Sequence, residues 1–423
     1  MSKKSPRVLI VAEHASAKFG GEAILPLHYF RVLDSRDLPV WMIVHQRSQA
    51  ELEQLFPHAK SRIRFVPDTP VHRGLWRAGT HLPQRLDVAT LTYASHVLTQ
   101  CIARQYAADL VRDERIDVVH QPIPVSPKEP SVLHDLGVPV VIGPMNGGMS
   151  YPRAFQRLEG VVSRAAMRLG RRAANQLNRL LPGKLRASIL VVANQRTRRA
   201  LPSGVTGSII ELVENGVDLG LWPGPRPAPE MNRMPRFIFV GRLVPFKGVD
   251  WLLHAFRRVL DRHDAELRIV GDGPVRGDLE QLVRTLSLEH RVHFTGWLSQ
   301  AQVAEQLHHS EVLVLPSLME CGGAVVLEAM ASGVPVVATA WGGPRDYLDR
   351  SSGFLVAPID RELLIEGFAD AMNTLAASPE LRMRMGRAGR RRVITHFDWE
   401  KKVDRMLEIY DEAIDRWRVE RAA

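Results

Sequence analysis

The chain has 423 residues, too many for one ordinary hydrophobic core, and its 45% hydrophobic and 24% charged content is that of a globular protein with two domains. No apolar segment reaches the roughly 20 residues that cross a bilayer, Met1 to Arg7 lacks a secretory pattern, and the two cysteines offer neither a disulfide framework nor a zinc site, so a reducing cytoplasm is expected. The formal charge of +10 is concentrated between Arg153 and Arg186, where nine basic residues meet a single acid, Glu159.

Residues 7–12 (RVLIVA) read as a first buried strand. Phe19-Gly20-Gly21-Glu22 then opens a helix from Ala23 to Leu33, and paired glycines at such a turn let a phosphate or a backbone approach closely. Strands are predicted at 40–44, 63–66, 116–120 and 138–143, with an irregular stretch over 46–83 and a broadly helical one over 85–112. His120 and Asn146 fall at predicted strand ends, where ligands of parallel sheets bind, and are acceptor-side candidates. In the basic segment Leu158, Val162, Ala165, Leu169, Ala173 and Leu177 recur at helical spacing, with Arg157, Arg164, Arg168 and Arg171 beside them. That pattern suits an anionic membrane surface, or a domain helix with a solvated arginine face. Nucleic acid is not expected, because no aromatic stacking residues are interleaved. Strands at 187–193 and 208–212 complete the first sheet, and the Pro- and Gly-rich stretch 219–235 marks a boundary.

The alternation then restarts. Strands are predicted at 236–241, 267–271, 292–297, 311–315, 334–339 and 353–356, with helices at 249–260, after Pro274, and at 362–376, 380–393 and 397–418. Within 316–330 (PSLMECGGAVVLEAM) a strand runs through Gly322-Gly323 into a short helix, with Glu320 in the loop and Glu328 in the second helical turn. Eight residues at about 100° each bring the two carboxylates to within roughly 80°. Arg242 and Lys247 follow the strand at 236–241, and this pair of cations suits a diphosphate, the guanidinium as a fork and the ammonium as a point charge. Carboxylates suit sugar or ribose hydroxyls. Together the four describe a nucleotide-sugar site. No Asp-x-Asp pair occurs anywhere in the chain, so no metal is expected and the leaving diphosphate would rest on the two cations and helix N-termini.

These residues resemble the retaining nucleotide-sugar glycosyltransferases of the GT-B fold, specifically glycosyltransferase family 4. The matching pieces are Phe19-Gly-Gly21, Asn215-Gly-Val-Asp218, Phe239-Val-Gly-Arg-Leu243, Phe246-Lys-Gly248, Ile269-Val-Gly-Asp-Gly-Pro274, Phe294-Thr-Gly296, Pro316-Ser317 and Glu320 to Glu328-Ala-Met-Ala-Ser-Gly333. The resemblance implies two Rossmann-like, doubly wound domains facing across a cleft. Residues 1–217 would be the acceptor side, with helix 398–423 packing back on it, and 218–397 would bind the donor. It also implies that Arg242 and Lys247 hold the diphosphate, Glu320 the transferred sugar and Glu328 the ribose. Gly241 and the backbone of Cys321, Gly322, Gly323, Ala324 and Val325 would seat sugar and phosphate, Gly296, Trp297 and Leu298 would meet the base, and Gly20 and Gly21 would line the cleft. Where many members carry a histidine after the strand at 138–143, this chain has Asn146.

The expected activity is therefore retaining transfer of a sugar from a nucleotide diphosphate to an acceptor hydroxyl, with no cofactor beyond that co-substrate. The expected acceptor is a saccharide, free or lipid-linked, in cell-surface polysaccharide or glycolipid assembly, with the basic segment resting on the inner face of a membrane. A nucleotide-sugar epimerase of similar fold and a catalytically silent nucleotide-sugar binder or membrane adaptor are the rival readings.

Overall fold

The computed structural model describes residues 5–19, 21–80, 91–159, 173–222, 224 and 234–422. By contacts the chain divides into two units. The first comprises Met1–Gly148, Ala165–Glu214 and Lys402–Ala423, and the second Met149–Arg164 and Asn215–Lys401. The divide at Glu214/Asn215 lies in the Asn-Gly turn, ahead of the Pro-rich stretch.

The first unit holds one parallel sheet of seven strands: β1 (Val8–Val11), β2 (Val40–His45), β3 (Ile63–Val66), β4 (Val118–Gln121), β5 (Val140–Met145), β6 (Ile189–Val192) and β7 (Ser208–Glu211), in the order β3-β2-β1-β4-β5-β6-β7. Leu9, Val11, Ile43, Val119, Ile142 and Leu190 share one face with Ala103 and Ala107 of the helix Tyr93–Asp113. Val8, Ile10, Met42, Val118, Val141 and Ile189 are equally buried on the other. A parallel sheet covered on both faces needs continuous apolar runs, and these runs are what made the strands legible. The helix Trp399–Ala422 counts with this unit from Lys402 onward, and its Arg416 donates to Ser208 Oγ at the end strand β7.

The second unit repeats the plan with six strands: β8 (Arg236–Val240), β9 (Glu266–Val270), β10 (Val292–Gly296), β11 (Val312–Leu315), β12 (Val336–Thr339) and β13 (Gly353–Val356), in the order β10-β9-β8-β11-β12-β13. In each sheet the chain winds outward on one side and then returns across its first strand, so β1/β4 and β8/β11 are the two switch points. Helix Ala324–Ala331 is largely buried against Pro379–His396. Glycine at 386 permits that approach, since a Cβ there would lie 1.9 Å from the Gly333 carbonyl oxygen.

Two expectations on secondary structure need correction. The stretch 46–83 contains helices Gln49–Leu55 and Pro70–Gly79, the latter started by a capping box between Thr69 and His72. Of the broadly helical 85–112, residues 85–90 lie outside the described residues, and the remainder carries the helix Tyr93–Asp113. Helix Gln300–His308, absent from the sequence reading, carries its own signal in the Ser299/Gln302 capping box. The core of the basic segment, 160–172, lies outside the described residues. At its far end Lys184 is fully buried, donating to the Ser126 carbonyl oxygen at 2.5 Å, and burial pushes its ammonium down to about 7. It is therefore a packing residue, and Arg186 pairs with Asp135.

Candidate active site

The carboxyl ends of the second sheet are tied together by main-chain hydrogen bonds from loop to loop. Gly271 N–H donates to the Gly296 carbonyl oxygen (2.8 Å), Leu243 N–H to Asp272 (2.9 Å), Leu318 N–H to Phe246 (2.9 Å) and Gly343 N–H to Glu320 (2.8 Å). These four bonds link, in order, the loops after β10, β9, β8, β11 and β12. Backbones this close leave no room for side chains. A Cβ at Gly271 would lie 2.0 Å from the Gly241 oxygen, and one at Gly343 would lie 1.8 Å from the Gly322 oxygen. The Gly-rich loops thus form a continuous rim rather than separate turns. Gly342-Gly343 is the buttress of the Glu320 loop.

Lys247 and Glu320 emerge from opposite sides of the β8/β11 switch point and form an ion pair between Nζ and Oε2. Both side chains are mostly buried, 15% and 12% exposed. Gly323 has φ +80°, and a Cβ there would sit 2.9 Å from Glu320 Cγ, so glycine is required both by the turn and by the carboxylate lying over it. The helix begins only at Ala324. The 80° offset expected between Glu320 and Glu328 therefore does not apply, because Glu320 precedes the helix by four residues in a non-helical loop. Glu328 lies within that helix, and burial alone pushes its carboxyl up to about 7. Ala324 and Val325, half-buried, form the first helical turn, whose N–H groups point to the rim. Arg242 is exposed in the loop after β8, and Cys321 is an exposed thiol. Past Gly296 (φ +73°), Trp297 stands 75% exposed, with Leu298 half-buried beside it.

In the first unit the structure corrects both acceptor-side candidates. His120 lies in the core of β4. Its Nε2–H donates to the Gly143 carbonyl oxygen (2.6 Å), and its Nδ1 accepts from the Tyr410 hydroxyl (2.7 Å). Burial holds the ring neutral, down at about 4. It braces β5 and the C-terminal helix, with both ring nitrogens engaged within the protein. Replacing Tyr410 by Phe leaves Nδ1 buried without a donor, so a loss of about 1–3 kcal/mol is expected in urea unfolding. A change below a few tenths of a kcal/mol would remove the bracing role. Asn146 is also buried. Its amide donates to Glu214 (2.8 Å) and its oxygen accepts from Arg196 (2.9 Å), so both ends are engaged within the protein. Gly20 lies outside the described residues, while Gly21 lines a cavity of about 330 Å³ at the β1/β4 switch point.

Glu13, His14, His96 and Glu129 line that cavity, and none was singled out from the sequence. The strand-end rule applied to the first strand would have found Glu13 and His14. His96 comes from the interior of a helix and carries no such mark. Burial raises the carboxyl of Glu13 and pushes His14 down to about 4, whereas hydrogen bonding to Glu129 raises His96.

The profile of the family described as glycosyl transferases group 1 matches residues 226–392. An MMP alpha-(1->4)-mannosyltransferase of Mycolicibacterium hassiacum is 33% identical over 209 residues, 49% of each chain. The chain spans about half the length of the curated relatives it matches. In structure, a sucrose-phosphate synthase from Thermosynechococcus elongatus has a TM-score of 0.65 at 20% identity, covering 97% of this chain and all of that one. Anabaena HepE has a TM-score of 0.63 in complex with UDP and 0.62 in complex with UDP and glucose, each at 17% identity and covering 96% of this chain and all of that one. At these identities the structural likeness speaks for the fold. Residues 226–392 are thus a glycosyl transferases group 1 domain, carried in a chain whose two parallel-sheet units have the GT-B fold.

Proposed function

We propose that the chain is a family 4 retaining glycosyltransferase that moves a hexosyl group from a nucleotide-diphosphate sugar to an acceptor hydroxyl, without a metal. The observation that carries this reading is the Lys247–Glu320 pair at the β8/β11 switch point, a cation for phosphate and a carboxylate for sugar hydroxyls held on one rim. Arg242 adds a second cation, the first turn of helix Ala324–Ala331 adds N–H donors, and Glu328 accepts from the ribose hydroxyls. In this reading the developing diphosphate charge rests on these groups, and the chain holds no Asp-x-Asp pair.

In the step itself the acceptor oxygen bonds to the anomeric carbon on the face the diphosphate leaves. The bond from that carbon to the diphosphate oxygen breaks, and the acceptor proton passes to the leaving diphosphate. No side-chain base is needed, in keeping with His120 and Asn146 being engaged elsewhere. The acceptor in this reading is a saccharide, free or lipid-linked, in polysaccharide or glycolipid assembly in the cytoplasm, as the family resemblance implies. No helix among the described residues is long and apolar enough to cross a membrane, and the membrane contact proposed is the basic segment from Arg153 to Arg186.

The test is a screen of nucleotide-sugars by thermal shift and nucleotide release, with and without saccharide acceptors, in excess chelator. One nucleotide-sugar should bind, release its nucleotide only slowly alone and faster with acceptor, and lose nothing to the chelator. Binding of none would overturn the reading. An isomerised sugar appearing without acceptor would make the protein an epimerase, and activity restored only by manganese or magnesium would remove the metal-free claim.

A further inference from the structure

The first unit carries a second cavity, of about 530 Å³, beside the one at the β1/β4 switch point, and His96 lines both. The two have opposite chemistry. The first presents the carboxylates of Glu13, Glu22 and Glu129. The second presents Arg47 and Arg73 with the ring of Trp76, opposed by one acid, the half-exposed Asp68. Arg47 is exposed, and no hydrogen bond or ion pair to its guanidinium occurs among the described residues. It lies close enough to act on Glu13, His14 and His96 of the first cavity and on His72 of the second. Arg73 is steadied through one nitrogen by the Asp68 carbonyl oxygen at 2.7 Å. Trp76 is 72% exposed, which leaves the face of its indole open for a ring to stack on. Next to these, His45 is fully buried on β2, and its Nε2 has no hydrogen-bond partner among the described residues.

From this juxtaposition we infer that the two cavities are one acceptor site, and that it selects a polyhydroxyl acceptor carrying an anionic group, phosphate or carboxylate. The inference rests on the reading of the chain as a glycosyltransferase and names its acceptor class. The anion goes to Arg47 and Arg73, where a planar guanidinium binds two oxygens at once. The adjoining ring stacks on Trp76. The hydroxyls go to Glu13, Glu22 and Glu129, which accept hydrogen bonds from them and repel the anion. Charge therefore sets the direction in which the acceptor lies, with its hydroxyl end at the switch point and its anionic end toward helix Pro70–Gly79. The anion comes either from a soluble sugar or polyol phosphate or from the headgroup of a lipid, and both present the same chemistry to the two arginines.

Isothermal titration of the full chain at low salt tests this with glucose 6-phosphate, glucuronate and inositol 1-phosphate. Glucose and inositol are the neutral counterparts, and flotation with phosphatidylinositol vesicles is the lipid arm. At least one anionic member should bind tenfold or more tightly than its neutral counterpart. Arg47→Gln and Arg73→Gln should each cut that affinity about tenfold and leave nucleotide binding unchanged. Binding of the soluble phosphates assigns a soluble source, and binding of vesicles alone assigns a headgroup. Equal affinity for charged and neutral members throughout, or an anion preference that survives in the double variant, overturns the proposal. Nucleotide binding in the same samples separates the two readings: its absence with anion selectivity intact sinks the transferase and not the anion site.

Discussion

Glu328→Gln should make the protein more stable at pH 8 by about 3 kcal/mol, and hardly more stable at pH 4, while weakening nucleotide binding at least tenfold. The carboxyl of Glu328 is carried from its ordinary 4.5 to about 7 by burial, with no cation to offset it. A folded-state value above the unfolded one means the folded protein holds this proton more tightly. Stability linked to it is then fully present below pH 4.5 and is lost as pH rises through 7. Above that, the charged form sits where water is scarce, a cost of about 3 kcal/mol by the free-energy equivalent of the displacement. Glutamine keeps the shape and is neutral throughout, so the gain appears only at high pH. Urea unfolding of both proteins at pH 4 and pH 8 reads this directly, and equal differences at the two pH values would rule out ionisation as the cause.

Such a cost suggests what the residue is for. An ionised carboxylate can accept from both hydroxyls of a ribose, so nucleotide binding and loss of the proton should go together. In the wild type, affinity should therefore rise with pH through about 7. In Glu328→Gln it should be lower and flat, because the amide offers one acceptor oxygen. Charged hydrogen bonds of this kind are worth about 1.5–3 kcal/mol, which sets the tenfold floor.

The rim of the second unit was legible in the sequence for a physical reason. Its loops follow directly on strands, and a strand buried on both faces announces itself as an apolar run. The end of each run then points to the loop residues gathered on the rim, as with Lys247 after β8 and Glu320 after β11. The same rule misled at His120 and Asn146. A strand end says where the backbone is, not whether the side chain meets ligand or core, and the partners that claim these two, Tyr410 and Glu214, are 290 and 68 residues away. The first-unit cavities were illegible for a related reason. Arg47, Arg73 and His96 come from a 3-10 turn, a helix and another helix, and no spacing in the sequence joins them. Helix Gln300–His308 was missed more simply, since its capping box was present and the apolar pattern was weak.

Glu320→Gln should bind nucleoside diphosphate more tightly than the wild type and turn over at least tenfold more slowly. Without ligand, Glu320 and Lys247 are each other's counter-charge in a site where both are mostly out of water. A diphosphate must draw Lys247 away from that partner, so the ion pair competes with the nucleotide. Glutamine removes the competition and leaves the ammonium for the phosphates, which should lower the Kd for the diphosphate a few-fold. Turnover moves the other way, because the amide no longer offers two charged acceptor positions to the sugar as the anomeric carbon develops positive charge, and each 1.4 kcal/mol lost there is a factor of ten. Lys247→Met should weaken both quantities. The double variant Lys247→Met/Glu320→Gln should recover most of the stability lost by Lys247→Met alone, since a mostly buried carboxylate without its cation is costlier than a neutral pair. Diphosphate titration and steady-state kinetics on the same preparations separate the roles: if Glu320→Gln loses affinity and turnover in parallel, the pair is part of the bound state and not a latch that the donor opens.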